Sequence, residues 1–104
     1  MKRFVLSPHA LIDLKEIIVY LNGLPDKPAL RIGKEIQSTL YRLASNPNQG
    51  FVHENFTARR GVEIRSFVEG DYIFYYESRR EPVEFHGIIH GKRDVQSIMR
   101  ERIG

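Results

Sequence analysis

Four polar residues near the C-terminus have side chains that could contact a charged partner. They are His90, Lys92, Arg93 and Asp94, and they come directly after an apolar run. Lysine and arginine bind phosphate and carboxylate groups, and loops that follow strands carry binding sites more often than cores do. We therefore expect Lys92 and Arg93 to present positive charge to a partner, while His90 and Asp94 hold the turn. In the alternative interpretation, Asp94 only caps a helix and the two cations are solvated.

Arg65 is a further candidate for target binding, because it lies in the middle of a predicted strand between apolar neighbours. A strand arginine commonly pairs with a carboxylate across the sheet, and Glu63, Glu77 and Glu84 are available. We favour this structural pairing over a direct contact between Arg65 and a target.

Three tyrosines in one short run, Tyr72, Tyr75 and Tyr76, could form a platform on which nucleic-acid bases stack. Aromatic residues in strands belong to the core more often, so a core position is the preferred interpretation. Four loop arginines could steer an acidic protein or DNA, although a solvated surface position is the simpler prediction for each alone. These are Arg59, Arg60, Arg79 and Arg80.

The chain offers few groups for metal or covalent chemistry. His86 and His90 would lie on one face of a strand, but roughly 13 Å apart at about 3.3 Å per residue, which is too far for one ion. The sequence contains no cysteine, no serine-nucleophile motif and no glycine-rich phosphate loop. We expect no cofactor and no metal.

The composition is that of a folded domain. The chain has 104 residues, of which 41% are hydrophobic and 28% are charged, and its net charge is +3. This length suits a single domain with one core, spanning residues 1–104. The mild basic bias permits a nucleic-acid or acidic protein partner. No apolar run is long enough for a signal peptide or a membrane span, so we expect a cytoplasmic protein.

Two apolar stripes in the first half predict an antiparallel pair of helices. Ser7 and Pro8 are suited to begin the first helix. The helix is predicted to end at residues 22–25. Asp26 is predicted to begin the second, and residues 45–47 to end it. The stripes are Leu11, Leu14, Ile18 and Leu21, widened by Ala10 and Ile17, and then Ala29, Ile32, Ile36, Leu40 and Leu43.

The second half predicts three antiparallel strands over residues 62–68, 72–77 and 83–90, with a first strand at residues 3–6 joining either edge. Asp94 would cap a short final helix. The connection from 48 to 61 carries Phe51 and Phe56, which we expect to fold back on the core, with a mobile loop as the alternative. In the last strand, strict alternation places Val83, Phe85, Gly87 and Ile89 on one face. The predicted fold class is α+β, with a helical hairpin packed on a small antiparallel sheet in the order strand–helix–helix–strand–strand–strand.

This order and four of its segments resemble the ParE/RelE superfamily of toxins from bacterial type II toxin–antitoxin systems. The resemblance covers nearly the whole chain and implies the RelE/ParE-like fold. The segments are LSPHALIDL at residues 6–14, the helix end at Asn46-Pro47, the strand residues 64–65 with DYIFYY at 71–76, and IIHGKRD at 88–94.

Within this superfamily, the residues favour the ParE branch over the RelE branch. The resemblance implies that a RelE-type ribonuclease has an arginine after the tyrosine of its third strand and a tyrosine near the C-terminus. Here Ile73 follows Tyr72, and Met99 is the residue nearest to the position of the C-terminal tyrosine. Neither an isoleucine nor a methionine side chain can stabilise a phosphate or move a proton. Only Lys92 and Arg93 match the basic residues of the ribonuclease pattern.

The ParE resemblance implies a toxin that binds DNA gyrase on cleaved DNA, without catalysis, and that a cognate antitoxin neutralises. The outer face of the helical hairpin and a sheet edge are the expected antitoxin surfaces, and a homodimer or a toxin–antitoxin hetero-oligomer is possible. Two rival functions remain open. One is a RelE-like ribosome-dependent ribonuclease with a rearranged site of Arg65, Lys92 and Arg93, and the other is a non-toxic module that only binds an antitoxin.

Overall fold

The computed structural model describes residues 2–56 and 61–103, which form an α+β structure of three α-helices and five strands. The strand–helix–helix–strands order that the sequence predicts is confirmed. The elements are β1 (Phe4–Leu6), α1 (Pro8–Asn22), α2 (Ala29–Ser45), β2 (Phe51–Val52), β3 (Ile64–Glu69), β4 (Tyr72–Glu77), β5 (Val83–His90) and α3 (Val95–Ile103).

The two long helices begin and end for local reasons. The Ser7 hydroxyl accepts a hydrogen bond from the Ala10 amide at 3.1 Å, so α1 has the predicted N-cap. The predicted start of α2 at Asp26 is wrong. Lys27 has a φ of 43°, in the left-handed region that an α-helix cannot contain, so α2 begins only at Ala29. Its predicted end is confirmed, since α2 stops at Ser45.

The two helices pack through the predicted stripes with one correction. The α2 stripe is buried apart from Ile32, which is half-buried. A Cβ atom on Gly33 would lie 3.3 Å from Cδ1 of Ile18, so the glycine permits close approach of α1. In α1, however, Leu11 is 41% exposed while Asp13 is buried at 4%. The buried face of α1 therefore contains Asp13 in place of Leu11, because Asp13 makes buried polar contacts, while the rest of the predicted stripe is buried or half-buried.

The sheet has the strand order β1-β5-β4-β3-β2. The β3-β4-β5 meander and the central position of β4 are confirmed, and β1 joins the β5 edge in parallel. The sequence did not predict β2, a two-residue strand that pairs antiparallel with β3. Phe56 is buried at 3%, as expected, but Phe51 is 71% exposed, so the prediction that it folds back on the core is wrong. Its position in a strand at the sheet edge holds it away from the core.

A β-bulge in β5 overturns the predicted alternation of faces. Tyr75 pairs with Gly87 and Tyr76 pairs with Phe85, which leaves His86 as an extra residue. Phe85 therefore packs in the same core as Ile88, towards the helical hairpin. Gly87, whose added Cβ would lie 2.8 Å from Sδ of Met99, faces α3 on the opposite side of the sheet.

Two hydrophobic clusters result, one on each face of the sheet. The first lies under α1 and α2, and the second lies between the sheet and α3. The first cluster contains Ala10, Ile36, Leu40, Leu43, Tyr72, Phe74, Tyr76, Val83, Phe85 and Ile88, and the second contains Phe56, Ile64, Tyr75, Ile89, Val95 and Met99.

No helix among residues 2–56 and 61–103 is long and apolar enough to cross a membrane.

Side chains from two helices cover the part of β5 that β1 does not reach. β1 pairs only with the first three residues of β5, so the later backbone on that side lacks a strand partner in the described chain. The Asp13 carboxylate accepts the Ile88 amide at 3.0 Å, and the Arg102 guanidinium donates to the His86 carbonyl at 3.1 Å. Arg102 also binds Asp13 through both terminal nitrogens, at 2.6 and 2.8 Å. This pair closes the edge and ties α1 to α3.

Candidate functional site

The turn after β5 is fixed by backbone hydrogen bonds. The Gly91 amide donates to the Asp71 carbonyl at 2.8 Å, which joins this turn to the β3–β4 turn. The Arg93 amide donates to the His90 carbonyl at 3.0 Å. These bonds hold the backbone of the turn, and Lys92 and Arg93 are both exposed on it.

His90 adds a side-chain contact to the same turn. Its Nδ1 accepts a hydrogen bond from the Lys92 amide at 3.1 Å, so the neutral imidazole carries its proton on Nε2. The ring also packs edge-on against Tyr72, with the ring centroids 5.5 Å apart. His90 therefore has the turn-holding position that the sequence predicts.

Asp94 is the N-cap of α3. Its Oδ1 accepts the Ser97 amide at 3.3 Å, and hydrogen bonds from Ser97 lower the pKa of this carboxyl below its usual value. The capping interpretation of Asp94 is therefore confirmed. A contact between Asp94 and a target remains a prediction.

A groove of about 390 Å³ lies between α1 and the end of β5, and we call it the α1–β5 groove. The predicted turn residues His90, Lys92 and Arg93 form one wall. Four residues of α1 face them, and of these only Ile17 belongs to the apolar stripe predicted from the sequence. They are Asp13, Glu16, Ile17 and Tyr20, which share a helix face at spacings of three, one and three.

The two cations of the groove differ from several other surface arginines, which form ion pairs. Within residues 2–56 and 61–103, neither Lys92 nor Arg93 has a carboxylate within ion-pair distance. Arg42, by contrast, pairs with Glu69 at 2.9 Å. The charges of Lys92 and Arg93 are thus available to an external anion.

Arg65 lies apart from this groove. Its Nε donates to Glu63 at 2.9 Å, and its NH1 donates to the carbonyls of Asn48 at 3.1 Å and Gly50 at 2.8 Å. The predicted structural pairing is therefore present. Of the three predicted carboxylates, the partner is Glu63, two residues earlier in the chain, rather than Glu77 or Glu84.

The register of the sheet sets the distance between Arg65 and the turn. Arg65 pairs with Tyr76 whereas His90 pairs with Tyr72, four residues away along β4, or roughly 13 Å at the usual rise. The structure thus does not bring Arg65 together with Lys92 and Arg93.

The three tyrosines of β4 occupy the core, as preferred from the sequence. Their exposed fractions are 8% for Tyr72, 2% for Tyr75 and 0% for Tyr76. The Tyr76 hydroxyl donates to the Pro47 carbonyl at 2.7 Å and accepts the Gly50 amide at 3.0 Å. Since Tyr75 and Tyr76 are covered on both sides, they offer no stacking platform for bases.

The loop arginines that the structure describes are paired. Arg79 lies 3.2 Å from Glu63, whose pKa is lowered first by the Ser78 hydroxyl and then by Arg65 and Arg79. Arg59 and Arg60 lie outside the described residues.

A mixed cluster on β4 and β5 was missed from the sequence. Ligand atoms of Glu77, Glu84 and His86 all lie within 4.8 Å of one another. Nε2 of His86 is 2.8 Å from Glu77 and 3.5 Å from Glu84, and Arg80 also binds Glu84. The sequence argument compared only the histidines with each other, whereas the antiparallel register brings the two glutamates to His86. Groups of the chain itself already contact both carboxylates, since Arg80 binds Glu84 and His86 hydrogen-bonds to Glu77.

The two positions that distinguish the RelE branch lie in the second hydrophobic cluster. Ile73 is partly buried and packs against it, and Met99 is 0% exposed within it. Apolar side chains therefore occupy the places where the resemblance would require an arginine and a tyrosine.

Comparison with known families gives a match over most of the chain. The family described as the ParE toxin of the type II toxin–antitoxin system parDE matches residues 4–95. The chain belongs to the ParE toxin family. Comparison with curated proteins gives no significant match.

As a ParE-family member, the protein is the toxin component of a type II toxin–antitoxin system, and its family implies a cognate antitoxin partner. The match extends from β1 to the first residue of α3. It includes both walls of the α1–β5 groove.

Proposed function

We propose that this ParE-family toxin acts in the cytoplasm by binding the complex of DNA gyrase with DNA, and that its antitoxin prevents this. The observation that carries the proposal is the pair of cations on the ordered turn, Lys92 and Arg93, which have no carboxylate partner in the described chain. They can bind DNA phosphates or acidic groups of gyrase.

Inhibition by binding, rather than by catalysis, fits the residues at the two distinguishing positions. Ile73 and Met99 pack in the core and offer neither a cation nor a proton donor. The rearranged ribonuclease site would need Arg65 beside Lys92 and Arg93, but the Arg65 guanidinium is bound to Glu63 and to two carbonyl groups. We therefore favour gyrase over messenger RNA as the target.

The proposed antitoxin surface is the exposed side of α1, where apolar side chains have no cover within the described structure. An antitoxin segment that orders on binding needs apolar area to offset its loss of conformational entropy. Exposed fractions on this helix reach 53% for Ile12, 73% for Val19 and 65% for Tyr20. A second copy of the toxin could use the same area for a homodimer.

A gyrase assay tests the target. The purified chain, free of antitoxin, is mixed with gyrase, ATP and plasmid, and the DNA is resolved after treatment with detergent and protease. We expect linear plasmid to accumulate with the native chain and with Arg3→Ala. We expect it to be reduced at least tenfold with Lys92→Ala combined with Arg93→Ala.

Arg3 is a matched control because it is an exposed cation near the start of β1, at the other end of the sheet from the turn. Unchanged supercoiling with a folded native protein would reject gyrase as the target and make ribosome-bound messenger RNA the next substrate to test. Equal loss of linear plasmid in the Arg3 variant would show that overall charge, not this turn, is responsible.

A further inference from the structure

The α1–β5 groove has one feature that gyrase binding does not require, which is an exposed aromatic ring opposite the two free cations. Tyr20 is 65% exposed on α1 and lines the groove together with Lys92 and Arg93. We propose that the α1–β5 groove binds one unpaired nucleotide of a single-stranded nucleic acid. This inference does not depend on gyrase being the target.

The dimensions of the groove suit such a ligand. Its volume of about 390 Å³ lies within the range of sites that hold small organic molecules. It is open on one side, where a strand could continue beyond the bound nucleotide. A base inside a duplex has both faces covered by its neighbours, so only an unpaired nucleotide can place a base in the groove.

Tyr20 supplies the stacking surface. Tyr20 and Tyr72 both line the groove. Burial, and then the nearby Asp71 and Tyr20, raise the pKa of Tyr72 above its usual value. Tyr72 is 8% exposed and forms the floor, whereas Tyr20 forms a wall that solvent reaches. A base stacked on Tyr20 would remove apolar ring surface from water, as in other proteins that bind single strands.

Lys92 and Arg93 supply the contact with phosphate. Both are on the turn that the hydrogen bonds from Gly91 and Arg93 hold in place, and neither is neutralised by a carboxylate in the described chain. Phosphate contacts of this kind position a strand without reading its sequence. The wall with Lys92 and Arg93 therefore suits the phosphate of a nucleotide, and the wall with Tyr20 suits its base.

Two further groups can recognise the edge of a base. The Glu16 carboxylate is an acceptor, and Nε2–H of neutral His90 is a donor because Nδ1 is already bound to the Lys92 amide. An acidic peptide would fit this groove less well, since its acidic side chains would not stack on Tyr20. These features favour a nucleotide over an acidic peptide.

Binding of a short fluorescein-labelled oligothymidylate, measured by fluorescence anisotropy with the full chain at fixed salt, tests the inference. We expect Tyr20→Ala to weaken binding about tenfold or more and Tyr20→Phe to leave it unchanged, because the ring stacks on the base. The Lys92→Ala, Arg93→Ala double variant should also weaken binding, whereas Arg3→Ala should not. Circular dichroism confirms that each variant is folded.

Three results of direct binding measurements would overturn the inference. They are absence of binding by the folded native chain, equal binding of a duplex of the same length, and equal binding by native protein and Tyr20→Ala. Displacement of the oligonucleotide by polyglutamate at equal charge concentration would also overturn it and favour an acidic peptide. An oligouridylate probe shows whether the bound strand is RNA or DNA, and binding of either supports the inference.

The oligonucleotide and gyrase experiments fail independently. Oligonucleotide binding without linear plasmid would reject the gyrase target and keep the nucleotide site. Accumulation of linear plasmid that Tyr20→Ala does not reduce, together with no oligonucleotide binding, would keep the gyrase target and reject the nucleotide site.

Discussion

Asp13 connects three elements through one carboxylate. It lies on α1, accepts the Ile88 amide of β5 and binds Arg102 of α3. Its side chain is 3% exposed and that of Arg102 is 13% exposed, so most of the pair is removed from water. Removing one partner of a buried pair leaves the other charge unpaired, which costs far more than the pair itself contributes.

We predict that Asp13→Ala lowers the free energy of unfolding by about 3–5 kcal/mol, because it leaves the Arg102 charge and the Ile88 amide without this partner. Urea denaturation followed by circular dichroism measures the change. Glu35→Ala is the control, because Glu35 forms an exposed pair with Arg31 at 3.8 Å and its loss should cost under about 1 kcal/mol. Equal effects of the two substitutions would contradict the structural role of Asp13.

His53 makes the stability depend on pH. Its Nε2 lies 2.6 Å from the Ser66 hydroxyl, and its ring packs against Phe56 and Tyr75 with centroids 5.7 and 5.3 Å away. Burial lowers the pKa of His53 below its usual value. In the unfolded chain a histidine titrates at about 6.5, so the unfolded state binds the proton at a higher pH than the folded state.

We therefore predict that the contribution of neutral His53 is fully present above about pH 6.5 and is lost as the pH falls towards the lowered folded value. His53→Gln should show a smaller loss of stability between about pH 7.5 and pH 5.5 than the native chain, as measured by urea denaturation. His9→Gln is the control, since His9 is exposed on α1. A native-like pH dependence in the His53 variant would refute this assignment.

At the scale of elements, the pairing of β2 with β3 requires a glycine before β2. A Cβ atom at Gly50 would lie 2.6 Å from the Tyr76 hydroxyl oxygen and 2.7 Å from the Ser66 carbonyl oxygen. The carbonyl belongs to the backbone of β3 and cannot move alone. Gly50 thus allows the chain after α2 to approach the sheet closely enough for Tyr76 to bind it.

We predict that Gly50→Ala destabilises the fold by about 1–3 kcal/mol, because β2 must move away from β3. Gly23→Ala is the matched substitution at a site without such contacts. Gly23 ends α1 with φ of −81°, and its added Cβ would lie no closer than 3.4 Å to another atom. It should raise stability by about 0.4–1 kcal/mol by restricting the unfolded chain. Thermal denaturation of both variants measures the effects, and a neutral Gly50→Ala would contradict the close approach.

At the scale of the whole molecule, the charge distribution matters more than the net charge of +3. Most arginines that the structure describes on the β-sheet side are paired, including Arg65 with Glu63 and Arg80 with Glu84. Lys92 and Arg93 therefore account for much of the available positive charge near the groove. Long-range attraction to an anionic complex should be sensitive to screening by salt.

We predict that plasmid linearisation by the native toxin decreases steeply as potassium chloride rises from about 50 to 200 mM, because counterions compete with phosphate contacts. The Lys92→Ala, Arg93→Ala variant should show a shallower salt dependence at a toxin concentration adjusted for equal activity. Arg3→Ala should keep the native slope. Gyrase supercoiling without toxin, measured at each salt concentration, corrects for the enzyme's own response.

Features that rest on local patterns could be predicted from the amino-acid sequence. Ser7 caps α1, Asp94 caps α3, β4 is central and β5 spans Val83–His90, because capping chemistry and periodic burial act over a few residues. The cations of the turn were also visible from the sequence, since their types and order after a strand can be recognised without knowing any long-range contact.

Contacts between groups that are distant in the chain could be seen only in the folded structure. The bulge at His86 reverses the faces of β5, and Asp13 is buried only because Arg102, 89 positions away, neutralises it. The wall of the groove that carries Glu16 and Tyr20 depends on how α1 is rotated against the sheet. These features arise from register and from pairing between remote residues, whose free energies depend on three-dimensional proximity and leave no periodic signal in the chain.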